Sequence, residues 1–345
     1  MKKLFGFLLL VLVGISCSTK VDLYTDFKDT TIVYGVMNVA QDTSFVKITR
    51  AFSATDEQAF DVNQVALIAD SFNYPGKLDA RFIELRSFYG SSYAPTGREI
   101  LLDTITIHNK KEGMFYAPDQ KLYYTTERFN INEGRERYRY RLWIRKDNDT
   151  ITSEIGLLGS NNFQISTRDV YFRSNNSVRT HKILFIPDDN EAIYEINMQF
   201  NYKERKPGQD TVKKEVSWSL GAFSMYDLEY EDGSCFVTYP ENLLFKVLSD
   251  AIGDDNLNVE RFFDSFVISI FVSGKELHDY TQMNVPSSGF SQSVADYSYT
   301  NIHGGFGVFS SRYLLRKEVR ISSLTQTDLL LMPWGFKNLG YTKQP

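Results

Sequence analysis

The stretch RERYRYRLWIRK, residues 135–146, alternates with a period of two: Arg137, Arg139, Arg141, Trp143 and Arg145 fall on one side, Tyr138, Tyr140, Leu142 and Ile144 on the other. Successive side chains of a strand point to opposite faces, whereas a helix would scatter both sets around its circumference. The pattern therefore predicts a strand over 136–145 with one apolar face for a core and one cationic face turned outward. Residues 31–52 (TIVYGVMNVAQDTSFVKITRAF) add two runs of β-branched and aromatic residues around a break at 39–42, the pattern of a hairpin with a short loop. Further runs at 101–108, 122–130 and 150–158 are separated by Asn109, Gly113, Asn132, Gly134 and the Asp147-Asn148-Asp149 cluster. Several short strands with regular turn signals point to a sandwich.

Between 160 and 180 the chain turns polar (SNNFQISTRD, RSNNSVRT), which marks a domain boundary. Strand-like runs resume at 182–186, 192–203, 211–220 and 266–273. A helix is expected over 240–252, where Leu243, Leu244, Val247, Leu248 and Ile252 share a face, and a shorter one over 275–283. The segment 56–71 reads as a short helix or an irregular insertion. At 345 residues the chain exceeds the size at which one core usually stops growing. The fold class expected is mainly β: an N-terminal immunoglobulin-like antiparallel sandwich over 29–165, then a second antiparallel β domain with a few inserted helices over 166–345. The 26 Phe, 21 Tyr and 3 Trp suit such pleated, half-buried surfaces.

The N-terminus assigns a compartment. Lys2 and Lys3 precede an apolar run from Leu4 to Ile15 and then Ser16-Cys17, a secretory layout whose apolar part is shorter than the about 20 residues a bilayer span requires. The small residue before Cys17 resembles a bacterial lipoprotein signal, although Gly14 stands where Leu is usual. That resemblance implies a signal peptide over 1–16, a lipidated Cys17, a polar tether over 17–28 and anchoring in the outer membrane. If Cys17 is lipidated, Cys235 has no disulfide partner, and stability must come from core burial. Without Lys2 and Lys3 the chain carries 36 Lys+Arg against 43 Asp+Glu, a formal −7. This acidity argues against a nucleic-acid partner.

Several longer stretches carry a second resemblance: IVYGVMNVAQDTSFVKITRAF near the start, AIYEINMQFNYKE and KKEVSWSLG in the middle, VSGKELHDY and YTNIHGGFGVFSSR late. Together they resemble the Bacteroidetes lipoproteins grouped as domain of unknown function family 4249, over about Asp29 to Tyr341. The resemblance implies a cell-envelope lipoprotein often encoded near outer-membrane transporters of the TonB-dependent kind. It implies no catalytic residue.

No motif names a reaction. The turn HGGFG, 303–307, is followed by an alternating, β-branched run rather than a helix, so glycines for a tight turn or bulge outweigh an anion cradle; Tyr299 and Arg312 are the side chains nearest such a site in sequence. Residues 254–260 (DDNLNVE) begin like a calcium loop but lack its glycine and its bidentate Glu. His108, His181, His278 and His303 show no metal spacing, and no metal or cofactor is expected. Cys235 reads as a small buried strand residue. Thr30, Thr104, Thr150 and Thr211 each follow an Asp and precede a Thr or an apolar residue, which resembles O-glycosylation sites of exported Bacteroidetes proteins and equally suits a turn giving way to a strand. The outward face with Arg137, Arg139, Arg141 and Trp143 is either a solvated sheet surface paired with carboxylates or a contact patch for an anionic partner. Two functions follow: a non-enzymatic outer-membrane lipoprotein that partners a TonB-dependent transporter, or a surface hydrolase acting on glycan or peptide.

Overall fold

The computed structural model describes residues 30–51, 73–88, 92–108, 120–175, 178–188, 190–252, 258–283 and 299–337. Cys17 with its signal and tether, the segment 56–71, and Asp254 and Asn256 of the calcium-like loop lie outside the described residues.

The chain is mainly β and sandwich-like. Its first half contributes β1 (Thr30–Met37), β2 (Ser44–Ala51), β3 (Asp79–Phe88), β4 (Ala94–Leu101), β5 (Asp103–Ile107), β6 (Gln120–Thr125), β7 (Glu136–Lys146) and β8 (Asp149–Gly156). The second half contributes β9 (Gln164–Ile165), β10 (Asp169–Val170), β11 (Thr180–Ile186), β12 (Ala192–Arg205), β13 (Val212–Ser224), β14 (Glu229–Glu231), β15 (Ser234–Pro240), α1 (Leu243–Ile252), β16 (Glu260–Gly274), α2 (Lys275–Met283), β17 (Phe306–Ile321) and α3 (Ser323–Leu331). One large sheet runs β13-β12-β16-β17-β1-β2-β6-β5, with β10 attached to β17; two four-stranded sheets run β14-β15-β11-β9 and β4-β3-β7-β8.

Alternation explains which faces are buried. In β7, Tyr140, Leu142 and Ile144 are buried while Arg145 is exposed. They pack with Phe82, Val33, Val46 and Ile48 into a first core between β4-β3-β7-β8 and the β1 end of the large sheet. In β12 and β16, Tyr194, Ile196, Met198, Phe200, Phe266, Ile268, Ile270 and Val272 form the floor of a second core, roofed by Phe172, Phe185, Leu244, Leu248 and Leu329. Each such fully buried large side chain contributes about 1.5–3 kcal/mol relative to exposure. The change of core falls between Leu157 and Leu158. That crossover is pinned where the backbone N–H groups of Gly159 and Ser160 donate to Asp188 Oδ2 at 2.8 and 2.9 Å.

Among the described residues, the named strands pair antiparallel except along β17. Its first part runs parallel to β1, from Ile32 opposite Phe306 to Met37 opposite Ser311. Its later part is antiparallel to β16, from Arg312 opposite Ser273 to Val319 opposite Phe266, and its end is parallel to β10. One 16-residue strand is thus shared by both cores, and Ile302 and Phe309 belong to the first although they lie far beyond residue 165. The helix expected over 240–252 is α1, burying Leu244, Phe245 and Leu248. Strands β3, β4 and β15, and the short β9, β10 and β14, have no counterpart among the sequence expectations.

Candidate functional site

The face anticipated from the arginine stripe is built on β7, in the interior of its sheet between β3 and β8. Register sets Arg141 opposite Glu154 and Trp143 opposite Thr152 on β8, and Trp143 opposite Arg81 on β3. Glu154 is shared: its Oε1 accepts from Arg139 Nε at 2.9 Å and its Oε2 from Arg141 Nη2 at 3.0 Å. The Arg81 guanidinium lies 5.0 Å from the Trp143 ring centroid and donates to Asp79 and Glu99. Hydrogen bonding to Asp79 first, and to Glu99 next, raises its pKa above the ordinary arginine value. Arg137 donates to the Gly134 carbonyl at 2.9 Å and so braces the turn entering β7. The cationic stripe is therefore interleaved with carboxylates into a mixed-charge surface.

Beyond Arg139 this face reaches a small polar cavity of about 190 Å³ at the seam of the two cores, where Tyr299 and Arg139 meet Asn190, Glu191, Lys275 and Glu276. Two glycines make room for these groups. A Cβ on Gly156 would lie 2.2 Å from Asn190 Oδ1, and one on Gly274 would lie 2.6 Å from Ser310 Oγ and 2.8 Å from Glu276 Oε2. Asn190 Nδ2 donates to the Leu157 carbonyl at 2.8 Å, and Ser310 Oγ donates to Glu276 at 3.3 Å. Burial first, then the carboxylates Glu276 and Asp279, pushes the Tyr299 hydroxyl upward. The hydrogen bond to Asp279 raises Lys275. The cavity thus offers a phenol and an ammonium as donors beside the side chains of Glu191 and Glu276. Its volume lies below the range of about 300–1,000 Å³ usual for small-molecule pockets.

Of the residues singled out from sequence, the fold brings Arg139 and Tyr299 into this cavity and Arg141 beside it through Glu154. Arg312 is exposed on β17 opposite Ser273 and does not line the cavity. Asn190, Lys275 and Glu276 were not singled out; the only local signal was the Lys275-Glu276 pair opening a short helix directly after a strand.

The HGGFG turn has a structural account. Gly304 and Gly307 have φ of +81° and +114°, and a Cβ on Gly307 would lie 2.0 Å from the Val33 carbonyl oxygen, so glycine is what lets β17 lie against β1. The Asp-Thr positions all stand where strands begin: Thr30 opens β1, Thr104 and Thr150 are the second residues of β5 and β8, and Thr211 immediately precedes β13. Thr150 and Thr211 are exposed.

Cys235 is fully buried in β15, and burial pushes its thiol up to about 12. His303 exchanges both backbone hydrogen bonds with Thr152. Among the described residues no group of three or more His, Cys, Asp or Glu side chains is arranged to hold a metal ion, and no helix is long and apolar enough to cross a membrane. No family model and no curated protein matches the sequence.

Proposed function

We propose that the protein is an outer-membrane lipoprotein held by a lipid on Cys17, and that it works by binding a partner, an outer-membrane transporter of the TonB-dependent kind, rather than by turning over a substrate. The observation that carries this is the join between signal and fold. Lys2-Lys3, the apolar run and Ser16-Cys17 are followed within 13 residues by Thr30, which opens β1 between β17 and β2 in the interior of the large sheet. A chain of that length spans at most about 45 Å fully extended, so the folded body is confined close to the membrane surface. Two or three acyl chains anchor stably where a single one is marginal. The resemblance of the late YTNIHGGFGVFSSR block to envelope lipoproteins associated with such transporters supports the same reading.

The test is a pull-down from detergent-solubilised outer membrane of the native host. A transporter should co-purify, and C17A should release the protein from the membrane and abolish the association. Recovery of the wild type alone, together with hydrolytic turnover of glycan or peptide, would overturn the reading.

A further inference from the structure

We propose that the groove between β10 and β11 is a strand-addition site for an extended, acidic segment of a partner protein. The proposal rests on the partner-binding reading above and names the surface and the chemistry that would serve it.

The groove exists because β11 is only partly covered on one edge. On one side β15 pairs with it from Thr180 to Phe185; on the other, β9 covers only Phe185 and Ile186. The chain after β9 makes one more set of contacts, with Ser166 N and Thr167 N donating to the Leu184 carbonyl at 2.8 and 3.1 Å and Leu184 N donating to Thr167 Oγ1 at 2.8 Å. It then departs, and Asp169 and Val170 join β17 in the large sheet instead. An open space of about 570 Å³ is left beside Thr180, His181 and Lys182.

The direction of the free backbone groups follows from antiparallel geometry. Leu184 directs its N–H and C=O away from β15, and in such a ladder residues two apart point the same way. The N–H and C=O of Lys182, and those of Thr180, therefore face the groove. A strand edge of this kind is a template for another extended chain, whose backbone supplies the hydrogen bonds. From Thr180 to Ile183 the edge is four residues, about 13 Å at about 3.3 Å per residue.

Side chains add an aromatic wall and a charge. Tyr171, 46% exposed, stacks on His181 with centroids 5.5 Å apart and planes at 27°, and Tyr239 backs His181 at 5.9 Å. His181 Nε2 lies 3.4 Å from Glu241, the Lys182 ammonium is matched by Glu231 at 2.6 Å, and Arg320 by Asp169 at 2.8 Å. The exposed Arg168 side chain, by contrast, makes no hydrogen bond or ion pair among the described residues. The groove's uncommitted charge is positive, which selects an acidic residue in the incoming segment.

The probe is a blocked heptapeptide, acetyl-TVEVTVT-amide, titrated into the intact protein and followed by amide hydrogen exchange and by affinity. The expected result is slowed exchange at the Lys182 amide, with binding at least tenfold weaker for Y171A, for R168E and for the same peptide N-methylated at alternate amides. Equal binding of the N-methylated peptide would overturn strand addition, and so would protection of the same residues by a galacturonate disaccharide but not by the peptide. The pull-down separates the two claims. If the transporter co-purifies with R168E and Y171A as well as with the wild type, the groove proposal fails while the accessory role stands. If the wild type brings down no transporter, the accessory role fails and the peptide titration alone decides the groove.

Discussion

Glu84 is a carboxylate only 3% exposed, one of a few buried charges that include Asp188, Arg261 and Asp328. Alternation puts it on the core face with Ala80 and Phe82, and a bulge in β4, where Ile83 pairs with Glu99 but Leu85 with Pro95, lets Thr96 and Arg98 reach the Glu84 side chain. Its Oε2 accepts from the Tyr140 hydroxyl at 2.7 Å, Asn130 Nδ2 at 2.9 Å and Arg98 Nη1 at 3.1 Å, while Oε1 accepts from Thr96 Oγ1 at 3.0 Å. Burial, and after it the hydrogen bond to Glu84, pushes the Tyr140 hydroxyl far above the ordinary tyrosine range. E84A takes from Arg98, Asn130, Thr96 and Tyr140 the carboxylate they share, although Arg98 keeps Glu127 and the Arg128 carbonyl, and should cost about 3 kcal/mol, read as a lower urea midpoint at unchanged slope; E84Q, which keeps the shape, should cost about half of that. The second titrating feature is Cys235, whose thiol ionises at about 12 in the folded chain against an ordinary value of 9.0. Between those values the unfolded chain has lost a proton that the folded chain keeps, so this contribution is intact below pH 9 and drains away as pH rises toward 12. C235A should flatten that alkaline loss in denaturation curves taken from pH 8 to 11, and a thiol reagent at pH 8 should label the wild type only after unfolding.

At the scale of elements, the contact between β1 and β17 depends on a close backbone approach that only glycine permits. Gly307 combines φ of +114° with a Cβ position 2.0 Å from Val33 O, whereas Gly97 has φ of +89° but nothing within 4 Å. G307A should therefore destabilise by on the order of 3 kcal/mol or more, because both the dihedral and the ladder must give way, while G97A meets only the dihedral penalty of about 1–2 kcal/mol. Thermal melts of the two variants against the wild type separate space from strain. The comparison also shows where a sequence is readable. The strand β7 could be read because alternation is local, and its buried Tyr140, Leu142 and Ile144 need no knowledge of their neighbours. The strand β3, DARFIELRSF, could not, since Glu84 takes a core position in line with Ala80 and Phe82 and looks like a surface residue until Arg98 and Asn130 arrive from other segments. The seam cavity could not be read from sequence for the same reason. Arg139 and Tyr299 were marked by type, but the fold alone brings them together with Asn190 and Glu276.

For the whole molecule, the two cores are joined by strand sharing rather than by a linker. A boundary near 165 follows from the polar stretch 160–180 and lies close to the change of core at Leu157 and Leu158, yet β17 enters the first core from the far end of the chain. Phe309 stacks on Phe82 with centroids 5.7 Å apart, and Asn301 clamps Phe309 by accepting from its N–H at 2.9 Å and donating to its carbonyl at 2.6 Å. Without residues 299–312, β1 would lose a whole parallel ladder, leaving an open edge over exposed core side chains, a state prone to aggregation. A fragment comprising 30–165 should accordingly lack the dispersed amide spectrum of a folded sandwich, and a synthetic 299–314 strand added in trans should restore it. Parallel partners more than 250 residues apart are slow to meet, since loop closure precedes any gain from pairing. In the full chain both cores should then unfold in one transition, with near-ultraviolet dichroism and amide exchange in β7 and β12 falling together as urea rises. Two separated transitions, or an independently folded 30–165 fragment, would show that the shared strand does not couple the two cores.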